Sequence, residues 1–430
     1  MSTNPSDRHA ARVEVPLTAE DRAILALESP HVVGHACMVI RLTGRGPDLD
    51  ELRDAVTRRL PDAPRLTWCL SGSADEPVWS PDDTMDVAAH VGAVRAAGPL
   101  DAAGLRREVA GLFVHHLDRR RPLWRMDLVG PLDDGGSALV WRLHHALADG
   151  TTTLRLAESV LWDPAPAEDH GVRHDPVSLP VRSRPRDVAG MLTGELLPGL
   201  RRSPFDARVG RDREVAFTTT SLSALHDAAH GLAGATVNDA VLAVVAGALR
   251  RWLEHRHGPI HDLRVKVPVT LHHEGDAVGN RDSYFRVDLP VSEPDPVARL
   301  TRVRAETALR KDRHDARDLD ETMARMARFS PRLASWSQRL QRSGRAFALN
   351  VSNMPGPHRP LAVLGHHVET VHPLAEVAEH HALRVSALSV GDRLCFGFTA
   401  DPAVIDDLDV LAEAVEAEAS ELVRVRTRQE

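Results

Sequence analysis

Residues 137–152 read SALVWRLHHALADGTT, and the period of the side chains changes partway along. Leu139, Trp141 and Leu143 alternate with Ala138, Val140 and Arg142, a spacing that predicts a β-strand over Ser137–Leu143. Beyond Gly150, the hydroxyls of Thr151 and Thr152 suit the N-cap of a helix whose buried side holds Leu154, Ala157 and Leu161. The residues His144-His145-Ala146-Leu147-Ala148-Asp149-Gly150 therefore form a strand-to-helix turn. Neighbouring side chains on a strand point to opposite faces, so His144 and His145 should do different work: one faces a cavity and the other the interior. The same geometry weighs against zinc, because two ligands from one strand come from positions two apart; no metal is expected.

A neutral imidazole takes up a proton near physiological pH, which suits a reaction in which a hydroxyl becomes the nucleophile on a carbonyl. Asp149 can fix the turn or an arginine, and Gly150 leaves space beside the ring. A plainer reading is two ordinary histidines ahead of a capping carboxylate. The chain has 24 histidines, with further pairs at His115-His116, His272-His273, His366-His367 and His380-His381, so a pair alone means little. Only His144-His145 is followed by Asp-Gly at this spacing.

Working outward, Val32–Leu42 reads as a strand and Leu49–Leu60 as a helix. Later come a helix over Ala235–Leu253, with Val237, Val241, Val244, Val245 and Leu249 on one side, and a strand over Leu263–Leu271. Strands are expected at Ala382–Leu388 and Arg393–Thr399. Asp401 and Pro402 then offer the cap and first-turn proline of a closing helix to about Arg424. Strands and helices recur without regular alternation, the pattern of a mixed-sheet α/β or α+β fold. At 430 residues the chain exceeds what one core usually serves. The division predicted is an N-terminal half (1–162), a crossover (163–213) and a C-terminal half (214–430). The crossover is rich in proline, from Pro164 to Pro204, and in arginine, from Arg182 to Arg213. Its arginines suit anionic headgroups or phosphates, and equally suit a solvated linker.

A net charge of −8 excludes a general nucleic-acid binder, which needs a basic face, and aromatics at 4% leave no stacking surface for bases. Cys37, Cys69 and Cys395 are too few and too scattered for a disulfide framework or a cysteine metal site, which fits a reducing cytoplasm. The polar segment Met1–Pro16 lacks the apolar core of a signal peptide. The apolar run Ala240–Leu249 is half the length of a membrane span. A soluble or peripheral protein is expected.

His144 to Gly150 resembles the active-site motif of the CoA-dependent acyltransferase superfamily, which includes chloramphenicol acetyltransferases and peptide-synthetase condensation domains. Pro122-Leu123-Trp124, Asn238-Asp239 and Asn350-Val351-Ser352-Asn353-Met354-Pro355-Gly356-Pro357 resemble, in order, the Pro-Leu-Trp, Asn-Asp and Ser-Asn-x-Pro-Gly-Pro motifs of bacterial wax ester synthase/diacylglycerol acyltransferases. Weaker matches at Leu17–Ser29, Val267-Pro268-Val269 with Gly279-Asn280, and Gly397–Pro402 extend the likeness over nearly the whole chain. Each motif also has a plain reading: a strand opening on a buried indole, a helix cap, a rigid loop. Two departures, Leu271-His272-His273 where the family has an arginine and Ser389-Val390-Gly391 where it has Ser-Tyr, bear on the acceptor.

The resemblance implies two chloramphenicol-acetyltransferase-like halves, each a mixed sheet with helices, and a channel between them. It implies His145 as general base, His144 and Asp149 as supporting residues with Gly150, and Asn238 and Asp239 as a structural motif. Pro122, Leu123, Trp124, Ser352 and Asn353 are assigned to substrate binding, Ser352 or Asn353 being candidates to stabilise the oxyanion. No cofactor is implied; acyl-CoA enters as a substrate, with a fatty alcohol or diacylglycerol as acceptor and wax ester or triacylglycerol as product. Peripheral contact with membrane or lipid inclusions follows from such substrates. Other readings are acyl transfer to a specialised-metabolite or glycolipid hydroxyl, with CoA or a carrier protein as donor, and an inactive lipid-binding protein. Oligomeric state is not legible.

Overall fold

The computed structural model describes residues 14–73, 76–164, 203–270, 282–312 and 346–429. Most of the crossover, and the Gly279-Asn280 and Leu271-His272-His273 segments, lie outside these residues. Two six-stranded sheets organise the rest. In the first half the strands are β1 (Val15–Pro16), β2 (His35–Leu42), β3 (Trp68–Gly72), β4 (Pro77–Pro81), β5 (Val91–Leu100), β6 (Trp124–Leu132) and β7 (Ser137–His144), and the helices are α1 (Ala19–Leu25), α2 (Leu49–Arg59), α3 (Ala102–Phe113) and α4 (Gly150–Val160). The second half continues with β8 (Glu214–Ser221), α5 (Leu222–Ala233), α6 (Val237–His255), β9 (Leu263–Thr270), β10 (Asp282–Leu289), α7 (Pro296–Asp312), β11 (Leu349–Met354), β12 (Ala362–Val363), β13 (His366–Ala375), β14 (Leu383–Val390), β15 (Arg393–Ala400) and α8 (Leu408–Thr427).

The first sheet runs β12-β13-β2-β7-β6-β5 and the second β10-β9-β11-β14-β15-β8; a small sheet, β1-β4-β3, flanks the first. Both large sheets are mixed: β5 lies parallel to β6, and β11 parallel to β9 and β14, among antiparallel neighbours. The fold is thus the mixed α/β arrangement expected, with one sheet in each half. One exchange crosses the 213/214 division: β12 and β13 complete the first sheet, and β13 pairs with β2 from Ala36↔Ala375 to Leu42↔Val368.

All eight residues of β7 are buried, because both of its faces are covered. On one, Trp141 and Leu139 pack with Ile40, Leu52, Val56 and Leu156; on the other, Val140 and Ala138 meet Val39, Val109 and Phe113 of α3. Arg142 shares that second face, its buried charge met by Asp127, which accepts from Nη2 at 2.8 Å, and by the Leu112 carbonyl, which accepts from Nη1. Truncating a fully buried tryptophan such as Trp141 costs about 3–5 kcal/mol. In the second half, Ala240 to Leu249 of α6 are buried on every side among α7, α8 and the sheet. A helix hydrophobic all round is a core helix. No single helix among the described residues is long and apolar enough to cross a membrane.

Two helix starts differ from expectation. α4 is capped by Asp149, whose carboxylate accepts from Thr152 N at 2.7 Å, so the threonines lie inside the helix. Leu156, Ala157, Val160 and Leu161 form its buried side, with Leu154 only partly covered. The closing helix starts at Leu408, since Asp401 is already engaged in a turn, accepting from Ala403 N at 2.9 Å and from Gly210 N at 2.5 Å.

The sheets meet where β13 crosses β14 and β15. Gly397 permits the closest approach, since a Cβ there would overlap the Pro373 carbonyl. Beside it, buried His372 donates from Nδ1 to the Phe396 carbonyl at 3.0 Å.

Candidate active site

The turn after β7 is held from three sides. His144 N donates to the Leu123 carbonyl at 2.9 Å and His145 N to the Gly34 carbonyl at 2.9 Å, while the His144 carbonyl accepts from Leu147 N and Ala148 N. Buried Arg65 donates from Nε to the Leu147 carbonyl at 3.1 Å, its guanidinium lying over Trp68 and Trp79. The backbone carrying both histidines is therefore fixed by contacts to the residues that lead into β2, β6 and β3.

The two imidazoles part company as strand geometry requires. His144 is fully buried, and its Nδ1 accepts from Ala146 N at 3.0 Å. A backbone N–H only donates, so the ring proton is on Nε2, which faces Glu28 Oε1 at 3.3 Å. Gly34 makes room for this, because a Cβ there would overlap Nε2. Burial by itself would raise the Glu28 carboxyl, but His144 and Arg119 beside it hold it down at about 2.

His145 keeps partial exposure. Its pKa is lowered to about 3, first by desolvation and then by the positive charge of Arg384 and by His144, with Asp149 opposing. It is therefore neutral at physiological pH, the form in which an imidazole accepts a proton. Arg384 comes from β14, opposite Asn350 of β11, so the second half adds to the shift that burial imposes on a first-half histidine.

Of the other predicted site residues, Pro122, Leu123 and Trp124 are buried in the first-half core instead of lining an opening. Trp124 donates from its indole to the Leu66 carbonyl at 2.7 Å, and Leu123 lends its carbonyl to the motif turn. The one donor of the Trp124 indole is thus satisfied within the core. Asp239 forms a capping box with Thr236 at the start of α6 and accepts from Thr307 Oγ1 of α7 at 2.6 Å; Asn238 lies beside it, partly exposed. Ser352 and Asn353 are partly exposed on β11, and Ser352 donates to Ser386 Oγ at 3.1 Å. Met354 reaches the first-half core and abuts Gly150, where a Cβ would overlap its Sδ. The Ser-Asn-Met strand and the His-His turn thus meet.

The sequence did not point to Glu28, Gly34, Arg384 or the Arg213–Glu376 pair. Arg213 donates to Glu376 Oε1 from Nε at 2.9 Å and from Nη2 at 2.6 Å, tying the start of β8 to the end of β13. Burial raises the Glu376 carboxyl to about 7 against the pull of Arg213 and Arg384. Only the weak match over Leu17–Ser29 hinted at Glu28. Cavities lie at the two ends of β13. One, of about 460 Å³, is lined by His31, Val33, His115, His116, Arg211, Arg213 and Glu376. The other, of about 630 Å³, is lined by His358, Arg359, His367, Val390 and Arg393 among others.

Two family models match this chain, "Wax ester synthase/diacylglycerol acyltransferase catalytic domain" over residues 17–196 and "WS/DGAT C-terminal domain" over 278–422. A probable diacylglycerol O-acyltransferase of Mycobacterium tuberculosis is 28% identical over 391 residues, covering 82% of this chain and 85% of the relative. Another from the same organism, a putative diacylglycerol O-acyltransferase, is 27% identical over 464 residues, covering 96% and 92%. Among solved structures, the wax ester synthase/diacylglycerol acyltransferase of Marinobacter aquaeolei VT8 superposes with a TM-score of 0.72 at 23% identity, over 96% of this chain and 100% of that one. The first condensation domain of the CDA synthetase superposes with a TM-score of 0.57 at 17% identity, over 96% of each chain.

Proposed function

The chain belongs to the wax ester synthase/diacylglycerol acyltransferase family and is an acyltransferase that takes acyl-CoA and an alcohol, and from that premise we propose that His145 is the general base for direct transfer of a long acyl chain to a fatty alcohol or diacylglycerol. The acceptor hydroxyl gives its proton to the neutral imidazole as its oxygen bonds to the thioester carbon. Collapse of the tetrahedral intermediate breaks the C–S bond, and the proton passes from imidazolium to the thiolate, leaving ester and free CoA. The observation that carries this reading is the placement of a neutral, partly exposed His145 on the clamped turn that Met354 of the second half abuts at Gly150, set against a fully buried His144.

Arg384 supports the same chemistry. A fixed cation keeps the resting imidazole neutral and favours negative charge on the thioester oxygen as it develops, which offsets the cost it adds to the imidazolium. We assign the two cavities to the two ends of a channel between the halves. The end ringed by His31, His115, His116, Arg211 and Arg213 suits the phosphates of CoA, leaving the other for the acceptor. Asp149 holds the turn as the cap of α4, and His144 is structural. The substrates being lipids, contact with a lipid surface belongs to the same reading, and co-flotation with liposomes tests it.

The deciding experiment measures thiol release from palmitoyl-CoA with hexadecanol or dioleoylglycerol, for the wild-type protein and for His145→Ala. The reading expects ester formation by the wild type and loss in the variant. Equal turnover by both proteins overturns His145 as the base, and turnover only with polar hydroxyl acceptors overturns the assigned products.

A further inference from the structure

We propose that Glu28 is a positioning residue for acyl transfer, fixing the tautomer and orientation of His144 and, through it, the turn that presents His145. The proposal rests on the reading of His145 as base. Glu28 lies in the loop after α1, far in sequence from the motif, with its carboxylate nearly buried beneath the turn. Oε1 accepts from Gly34 N at 3.2 Å and lies 3.3 Å from His144 Nε2. Oε2 accepts from Arg119 Nε at 2.8 Å and also pairs with its Nη2. Arg119 is itself anchored, donating from Nη2 to the Leu25 carbonyl at 2.8 Å.

The two ends of the His144 ring make opposite demands that one tautomer meets. Ala146 N–H donates to Nδ1, so Nδ1 must carry the lone pair and Nε2 the proton. The carboxylate opposite Nε2 rewards that arrangement. In the other tautomer a donor would face a donor at Ala146 and a lone pair would face a charged carboxylate, both at a buried ring. Glu28 remains charged over the working range because Arg119 and His144 outweigh its burial. Gly34 links the arrangement to the catalytic ring directly: its N–H goes to Glu28 and its carbonyl accepts from His145 N. Glu28 lines neither of the two cavities and is not among the charges that shift His145, so its route to the reaction is the geometry of the turn. A displaced turn misaligns the imidazole with the attacking hydroxyl, and misplacement of this kind costs up to about 100-fold in rate.

The test uses the full chain with Glu28→Ala, Glu28→Gln, His144→Ala and the Glu28→Ala/His144→Ala double variant. Expected for Glu28→Ala is a fall in kcat of about 10- to 100-fold, KM for acyl-CoA and alcohol within about 3-fold, and an unchanged circular dichroism spectrum. Glu28→Gln, whose amide oxygen can face Nε2–H as the carboxylate does, recovers most of the rate. The double variant is no slower than His144→Ala, because both changes act on one link. Wild-type kcat in Glu28→Ala, no recovery by Glu28→Gln, or additive losses in the double variant overturn the proposal. Should the protein transfer no acyl group at all, the proposed function fails, and Glu28 is judged separately by nitrogen-15 NMR of the ring assigned through His144→Ala. The Nε2–H form in the wild type and its loss in Glu28→Ala support the proposal; an Nδ1–H form in the wild type, or an unaltered ring in Glu28→Ala, overturns it.

Discussion

The two halves bring their chemistry to the crossing in different ways. The first half presents His145 on a turn, clamped by backbone bonds to Gly34 and, through His144, to Leu123. The second half presents Arg384, Ser352 and Ser386 from the faces of β11 and β14, a parallel strand pair in the middle of its sheet. A turn can be adjusted by its supports, so the placement of His145 depends on neighbours such as Gly34 and Leu123. Strand residues are set by the register of the whole sheet, and the cost of moving one is spread over many bonds.

That contrast is broken most severely at the reactive group itself. His145→Ala should lower the transfer rate by about 100- to 10,000-fold with the fold intact by circular dichroism; a loss under 10-fold would mean that the turn does not carry the base. Next in size is Gly34→Ala, whose Cβ has no room beside His144 Nε2. It should cost about 10- to 100-fold in kcat, with little change in KM. Asp239→Ala probes the second half. Removing the Asp239 side of the α6 capping box and its bond to Thr307 should cost about 1–2 kcal/mol in urea denaturation, with kcat unchanged in the folded protein.

Acid should loosen the molecule before it changes the chemistry. Burial lowers His372 and His381 to about 4, from an ordinary 6.5. Their contribution to stability is intact above 6.5 and is lost as pH falls towards 4, because the unfolded chain binds protons that the folded one refuses. The loss approaches about 1 kcal/mol per pH unit for each ring, and melting temperatures between pH 7 and pH 5 would show it. Glu376, raised to about 7, has the opposite sign: its contribution is complete below 4.5 and fades as pH rises through 7. The smallest expected effect is at Arg384. Arg384→Met should move the His145 titration to higher pH, read by NMR, but only partly back to normal, since desolvation is the larger cause.

The same contrast decides what could be read from the sequence. The strand-turn-helix around His145 announced itself by a change of period within sixteen residues, and α6 by an apolar run; both rest on near-neighbour spacing. Arg384 could not be found that way. An arginine on a strand looks like any solvated side chain until the register with Asn350 and the packing of the two sheets are known. Glu28 is a lone carboxylate in a loop, 116 residues before the histidine it meets. Trp124 shows the converse, a motif residue assigned to substrate binding by resemblance, whose burial in the core no local spacing revealed. Alternation names a strand's two faces but not its partners, so nothing local revealed that β13 lies beside β2.

That pairing has a temporal side. During synthesis β2 has only β7 to pair with until the ribosome has passed residue 375. For most of translation, one margin of an apolar strand stands open, and such margins recruit other chains. The first sheet is closed by a piece of the second half, so maturation of the protein waits on its last hundred residues, and a nascent chain released early would be the species most in need of a chaperone.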